Sequence, residues 1–179
     1  MQRRQPLPRL WLVTDERQGK ELWPAIERLP RGSGVVFRHY GLAPAKRRAL
    51  FERLRRTARR RRLLLLLAGS PGLAVAWHAD GSHGTGVDRR RRRLRTAAAH
   101  NVREIRAAER AGADLLFVSP AFPTRSHPGA AALGPLGFRL LASKARLPVI
   151  ALGGMNAVNA RRLGPFGIYG WAAIDAWSP

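Results

Sequence analysis

The chain has no cysteine, which excludes disulfides, zinc–thiolate sites and thiol nucleophiles. It also has no long apolar run. The longest, Leu63–Ala68, has the length of a strand and falls far short of the roughly 20 residues that cross a bilayer. The N-terminal MQRRQPLPRL is basic, with no apolar signal-peptide core behind it, so the expected location is cytoplasmic and no membrane partner is expected. Carboxylates are scarce, 11 against 33 basic residues, for a formal net charge of +22. Lysine is scarce as well: only Lys20, Lys46 and Lys144 stand among the basic residues, and the rest are arginine.

That charge has two readings. One is an electropositive field that gathers anions. The other is the arginine-rich, lysine-poor composition of a GC-rich coding sequence. The runs RRTARRRR (55–62) and RRRRRLR (89–95) carry no interleaved aromatics for base stacking and match no nucleic-acid motif, so nucleic acid is not the expected partner. A binder acting through arginine charge alone is the remaining reading of that class.

With 179 residues, 45% of them apolar, the chain can bury one core. Short apolar strands alternate with amphipathic helices. Strands are expected at 9–15, 34–40, 63–69, 81–85, 94–100, 113–120, 147–154 and 167–174. Helices are expected at 20–29, 43–60, 71–79, 101–112, 135–146 and 156–164. On the second helix Ala49, Leu50 and Leu54 are expected to share the buried face. LLLLLAG (63–69) reads as a parallel strand buried on both sides. Asn101 reads as an N-cap and Gly112 as the stop of the fourth helix.

Eight strands in β–α alternation predict an α/β fold: a compact (β/α)8 TIM barrel of eight parallel strands. After Ile174 only DAWSP remains, so the final helix is expected to be truncated. Residues 1–8 read as a basic tail and 9–179 as one barrel domain. An open doubly wound sheet is the alternative, but the turn after the first strand reads TDERQG rather than a glycine-rich phosphate loop.

In such a barrel the chemistry belongs on the loops after the strands. Gly153-Gly154, followed by a helix start, suits an anion, although a tight strand-to-helix turn also calls for glycine. His100 closes the fifth strand, either as a general acid/base or as part of the helix cap. Asp88 is either a metal ligand or a solvated charge beside its arginines. Asp15 faces the cavity, caps a helix or pairs with an arginine.

The stretches LWLVTD, VVFRHY, ADGSHGTGVD, AAAHNVREIRAAERAGADLLFVSPAFPT and LPVIALGGMN resemble, in order and spacing, the thiamine phosphate synthase family, which includes a thiazole tautomerase branch. The resemblance runs from about residue 9 to 175. It implies a (β/α)8 barrel that joins a hydroxymethylpyrimidine pyrophosphate to a thiazole phosphate with Mg²⁺, releasing pyrophosphate. Phosphorylated pyrimidine and thiazole small molecules are the implied partners, and a homo-oligomer is compatible with it. It carries Arg38 to the pyrophosphate and catalytic position and His100 to a catalytic one. It carries Thr124, Ser126 and His127 to substrate binding, with His127 where the family has lysine. Gly153, Gly154 and Ala172 map to phosphate binding, and Asp88 to the metal. The chain departs from the pattern at Val36, Tyr40, Ala68, Gly69 and Ala98; Ala68-Gly69 stand where the family's other metal-holding carboxylate falls. A thiazole tautomerase-like isomerase and a non-catalytic member that binds a phosphorylated ligand are the alternative functions.

Overall fold

The computed structural model describes residues 6–86, 93–125, 129 and 131–177. Their strands β1 (Leu10–Val13), β2 (Gly34–Phe37), β3 (Leu64–Ala68), β4 (Gly81–His83), β5 (Leu94–Ala99), β6 (Leu115–Val118), β7 (Val149–Ala151) and β8 (Gly170–Ala173) close in sequence order into a parallel barrel. Pairing of Leu12 with Ala173 brings β8 back against β1. The helices are α1 (Leu22–Arg28), α2 (Pro44–Arg61), α3 (Pro71–Ala76), α4 (Val102–Arg110), α5 (Gly134–Ala142) and α6 (Ala157–Leu163). The expected (β/α)8 architecture is therefore the observed one.

Strand alternation divides the apolar residues into three clusters. Trp11, Val13, Val36, Leu66, Leu115, Phe117, Ile150 and Ala172 form a cluster made of strand residues, which is the barrel interior. Their neighbours point outward. Leu12, Val35, Phe37 and Leu65 meet Ile26, Phe51 and Leu54 of α1 and α2. Leu116, Val118 and Ala151 meet Ile105, Phe138 and Leu163 of α4, α5 and α6. Both faces of each strand are covered, which is why the strands read as continuous apolar runs.

The buried face of α2 differs from expectation. Phe51, Leu54 and Ala58 form it, with Leu50 partly buried and Ala49 exposed. The i, i+3, i+7 stripe is set by Phe51, and Ala49 lies off it. The 3₁₀ turn Glu16–Glu21 precedes α1, and Asp15 is its N-cap in a capping box with Gln18. Asn101 caps α4 through Glu104 N, and Gly112 follows it at φ +80°.

The end of the barrel where the strands begin is closed by residues expected to be tail. Leu7 packs on the interior cluster. Its carbonyl accepts from Tyr169 Oη (2.6 Å), and the Pro8 carbonyl accepts from Trp11 Nε1 (2.8 Å). The described segment after β8 packs back onto the barrel. Trp177 stacks on Trp171 at 5.0 Å and 9° and packs against the α1–α2 cluster. No described helix is long and apolar enough to cross a membrane.

The narrow interior admits Trp11 only because β2 opens with glycine: a Cβ on Gly34 would lie 2.1 Å from the Trp11 ring. Gly34→Ala should therefore destabilise the fold by about 1–3 kcal/mol through overpacking. Urea unfolding measures this, and a Trp11→Leu background should return part of the loss; an unchanged midpoint would contradict the packing.

Candidate active site

At the opposite end, where the strands finish, lies a cavity of about 430 Å³. Five strand ends line it, with Arg38 after β2, His100 after β5, Thr124 and Arg125 beyond β6, Gly153 and Gly154 after β7, and Ile174 and Asp175 after β8.

The turn after β2 is built around Thr14. Its hydroxyl accepts the Arg38 N–H (3.1 Å) and shares a hydrogen bond with His39 Nδ1 (2.9 Å). His39 adopts φ +41° and stacks on Phe37 (4.9 Å, 6°). It is buried, and burial holds its pKa below the usual histidine value. With His39 in the wall, its neighbour Arg38 lines the cavity.

His100 is both cap and site. Its backbone N–H donates to Glu104 Oε2 (2.8 Å), while Asn101 and Glu104 cap each other. Its ring lines the cavity with Nδ1 2.9 Å from the Ser119 carbonyl and 3.2 Å from Ser119 Oγ. A carbonyl only accepts, so Nδ1 carries the proton and Nε2 of the neutral ring is left as a base.

The β6 and β7 ends are fastened together. Ala121 N donates to Leu152 O (2.8 Å) and Phe122 N to Gly153 O (3.0 Å). Gly153 and Gly154 have φ +92° and +60°, and a Cβ would lie 2.8 Å from Pro120 Cα or 2.4 Å from the Pro123 carbonyl. Both reasons for glycine thus apply at once: the turn needs positive φ, and the neighbouring loop leaves no room. Among the described residues, no acceptor takes the Gly153 or Gly154 N–H. Asn156 caps α6 immediately beyond.

Four predicted residues lie away from the cavity lining or outside the described residues. Ala172, which the resemblance maps to phosphate binding, lies within β8, wholly buried in the barrel interior. The residues that reach the cavity there are Ala173, Ile174, Asp175 and Ala176. Asp88, Ser126 and His127 lie outside the described residues. Asp15, left open between three roles, caps the 3₁₀ turn and pairs with Arg17 (2.8 Å). Burial would raise its pKa, but the bonds from Arg17 outweigh that and hold it below the usual aspartate value.

The end of β4 carries a further histidine. His83, at the end of β4, bonds Thr96 Oγ1 through Nδ1 (2.8 Å) and sets its ring edgewise on Phe117 (5.1 Å). Burial, aided by the Arg38 charge, pushes its pKa down to about 4, so this histidine is neutral at physiological pH. The inward phase of Gly81-Ser82-His83 was the available signal.

The fold and this mouth define the class: a (β/α)8 barrel presenting an anion-suited site at the C-terminal ends of its strands. The comparisons narrow it. A family profile described as thiamine monophosphate synthase matches residues 10–177, and the chain belongs to that family. It is 33% identical to the thiamine-phosphate synthase of Chloroflexus aurantiacus, over 94% of this chain and 84% of that one. It is 36% identical to that of Geobacillus thermodenitrificans, over 78% and 69%. Among solved structures, the thiamine phosphate pyrophosphorylase of Pyrococcus furiosus superposes with a TM-score of 0.78 at 27% identity, covering 95% of this chain and 86% of that one.

Members of the family generally depend on Mg²⁺. Among the described residues, no group of three His, Cys, Asp or Glu side chains could hold a metal. The described carboxylates at the mouth are already engaged. Asp15 is held by Arg17, Glu16 by the Gly41 N–H, Glu104 by the His100 and Asn101 donors, and Asp175 by Arg125 (3.1 Å). The described residues therefore do not fit a divalent ion, which wants one or two carboxylates of its own.

His83 gives a pH prediction. The unfolded ring titrates near 6.5 and the folded one near 4, so between those values the unfolded chain binds more protons. Stability should be full above pH 6.5 and fall as pH drops towards 4, by up to about 3 kcal/mol less whatever solvent screening returns. Denaturant midpoints across that range should show the slope, reduced in His83→Gln; an unchanged slope in that variant would contradict the assignment.

Proposed function

We propose that the chain is a thiamine phosphate synthase of the cytoplasm, joining hydroxymethylpyrimidine pyrophosphate to a thiazole phosphate. The bond from the pyrimidine methylene carbon to the pyrophosphate oxygen breaks. Pyrophosphate leaves with both electrons, and the thiazole nitrogen forms the new C–N bond. The observation that carries this reading is the convergence of Arg38, His100 and the Gly153-Gly154 turn on one cavity in a chain of this family.

The roles follow from chemistry. The N–H groups of Gly153 and Gly154 bind the thiazole phosphate, where a glycine turn leads into a helix start. Arg38 faces the pyrophosphate and stabilises the charge that gathers on it as it leaves. Thr124, with Ser126 and His127 beyond it, donates to the same anion. His100 positions or relays a proton through Nε2. Ala172 contributes no side-chain donor; the adjoining turn supplies the wall. An oligomer is compatible with this reading and is not required by it.

A second reading rests on the same histidine. His100 Nε2 is a free base beside an anion site, which suits proton transfer within a thiazole phosphate, and Ala98 stands where the resemblance places a serine of the synthase.

The test is direct. Purified protein given the two phosphorylated precursors should yield thiamine phosphate, and Arg38→Gln should lower kcat/KM by about tenfold to a hundredfold. Turnover no greater than in a Gly153→Asp control would contradict the synthase reading. Proton exchange on the thiazole alone, lost in His100→Ala, would put the isomerase in its place.

A further inference from the structure

Arg47, in the first turn of α2, is a charged group beside the mouth, outside the cavity lining itself, that the roles above leave unused. Its Nε and Nη2 donate to the Arg38 carbonyl (3.0 and 2.8 Å), and Nη2 also donates to the Ala68 carbonyl (2.8 Å). Its guanidinium lies over the rings of Phe37 (5.6 Å), Tyr40 (5.4 Å) and Trp77 (5.4 Å). The Arg38 guanidinium shares Tyr40, at 5.9 Å. Arg47 thus joins the ends of β2 and β3 and sits beside the arginine that lines the cavity.

The arrangement leaves a partly desolvated cation without a counter-charge. Arg47 is partly buried, and among the described residues it has no carboxylate partner. A cation in the first turn also opposes the helix dipole, and that turn of α2 holds no acidic residue. A neutral amide could bridge two carbonyls without desolvating a charge. The Nη1 donors bond to no described residue, so the positive charge retains hydrogen bonds to give. The carbonyl that Arg47 takes is that of Ala68, at the end of β3 and next to Gly69, where the resemblance places a metal-holding carboxylate.

We propose that Arg47, paired with Arg38, supplies the fixed positive charge at the β2–β3 edge of the mouth, so that a diphosphate group binds there without a divalent ion. This rests on the synthase reading for the identity of the diphosphate as pyrophosphate, but it concerns binding and not turnover. A guanidinium offers planar, directed donors to phosphate oxygens and stays charged at any working pH.

Calorimetric titration of the whole protein with inorganic pyrophosphate, in EDTA and again in Mg²⁺, tests it. In EDTA the affinity should lie within about threefold of the Mg²⁺ value, and Arg47→Gln should weaken it at least about tenfold. Arg47→Lys, which keeps the charge but not the fork, should fall between. The EDTA comparison needs no variant, so it stands even if Arg47→Gln fails to fold. Binding seen only with Mg²⁺, no binding in either condition, or unchanged binding by a folded Arg47→Gln would each overturn the inference. Pyrophosphate bound in EDTA with no thiamine phosphate formed would sink the synthase reading and leave this one standing.

Discussion

The mouth of this barrel depends on one close approach. The segment from Pro120 to Pro123 lies directly against Gly153 and Gly154, with no space for a side chain at either glycine. That contact, sealed by the Ala121 and Phe122 N–H groups, fixes the β6 loop over the β7 turn. It places Ser119 where its carbonyl sets the His100 tautomer. It also sets the Gly153 and Gly154 N–H groups beside the cavity wall that Thr124 and Arg125 complete. A larger residue at 153 would push the two loops apart and remove several parts of the site together.

Charge is the second organising constraint. The chain has few carboxylates, and those at the mouth serve as caps and arginine partners rather than as an open set of ligands. Arginines are abundant and are satisfied in other ways. Arg95 is buried on β5 and bonds the carbonyls of Gly86, Ala111 and Gly112, and Arg47 bonds those of Arg38 and Ala68. A carbonyl-bound guanidinium keeps its charge, so such contacts brace the chain without neutralising it. The high net charge is then partly structural: some arginines act as braces between strands and loops.

The barrel was legible because parallel strands covered on both faces leave unbroken apolar runs, and LLLLLAG, LLFV and VIA stand out against an arginine-rich chain. Asn101 and Gly112 could be read as helix ends because capping is local chemistry. The α2 face was mis-set at Ala49 because alanine fits either side of a helix, and only Phe51, pressed on Phe37 and Trp77, reveals which side is inward. Arg47 was invisible for a different reason: within KRRALFERLRRTARRRR nothing local marks which guanidinium folds back across two strand ends. His83 needed the phase of a three-residue strand, too short to read with assurance from alternation alone.

The central claim is that Gly153 and Gly154 present their N–H groups to a phosphate in a mouth shared with Arg38 and His100. Amide chemical shifts followed by NMR during titration with the thiazole phosphate test it most directly. The Gly153 and Gly154 amides should move first and furthest, with His100 following. A titration that saturates while those two amides stay still would contradict it.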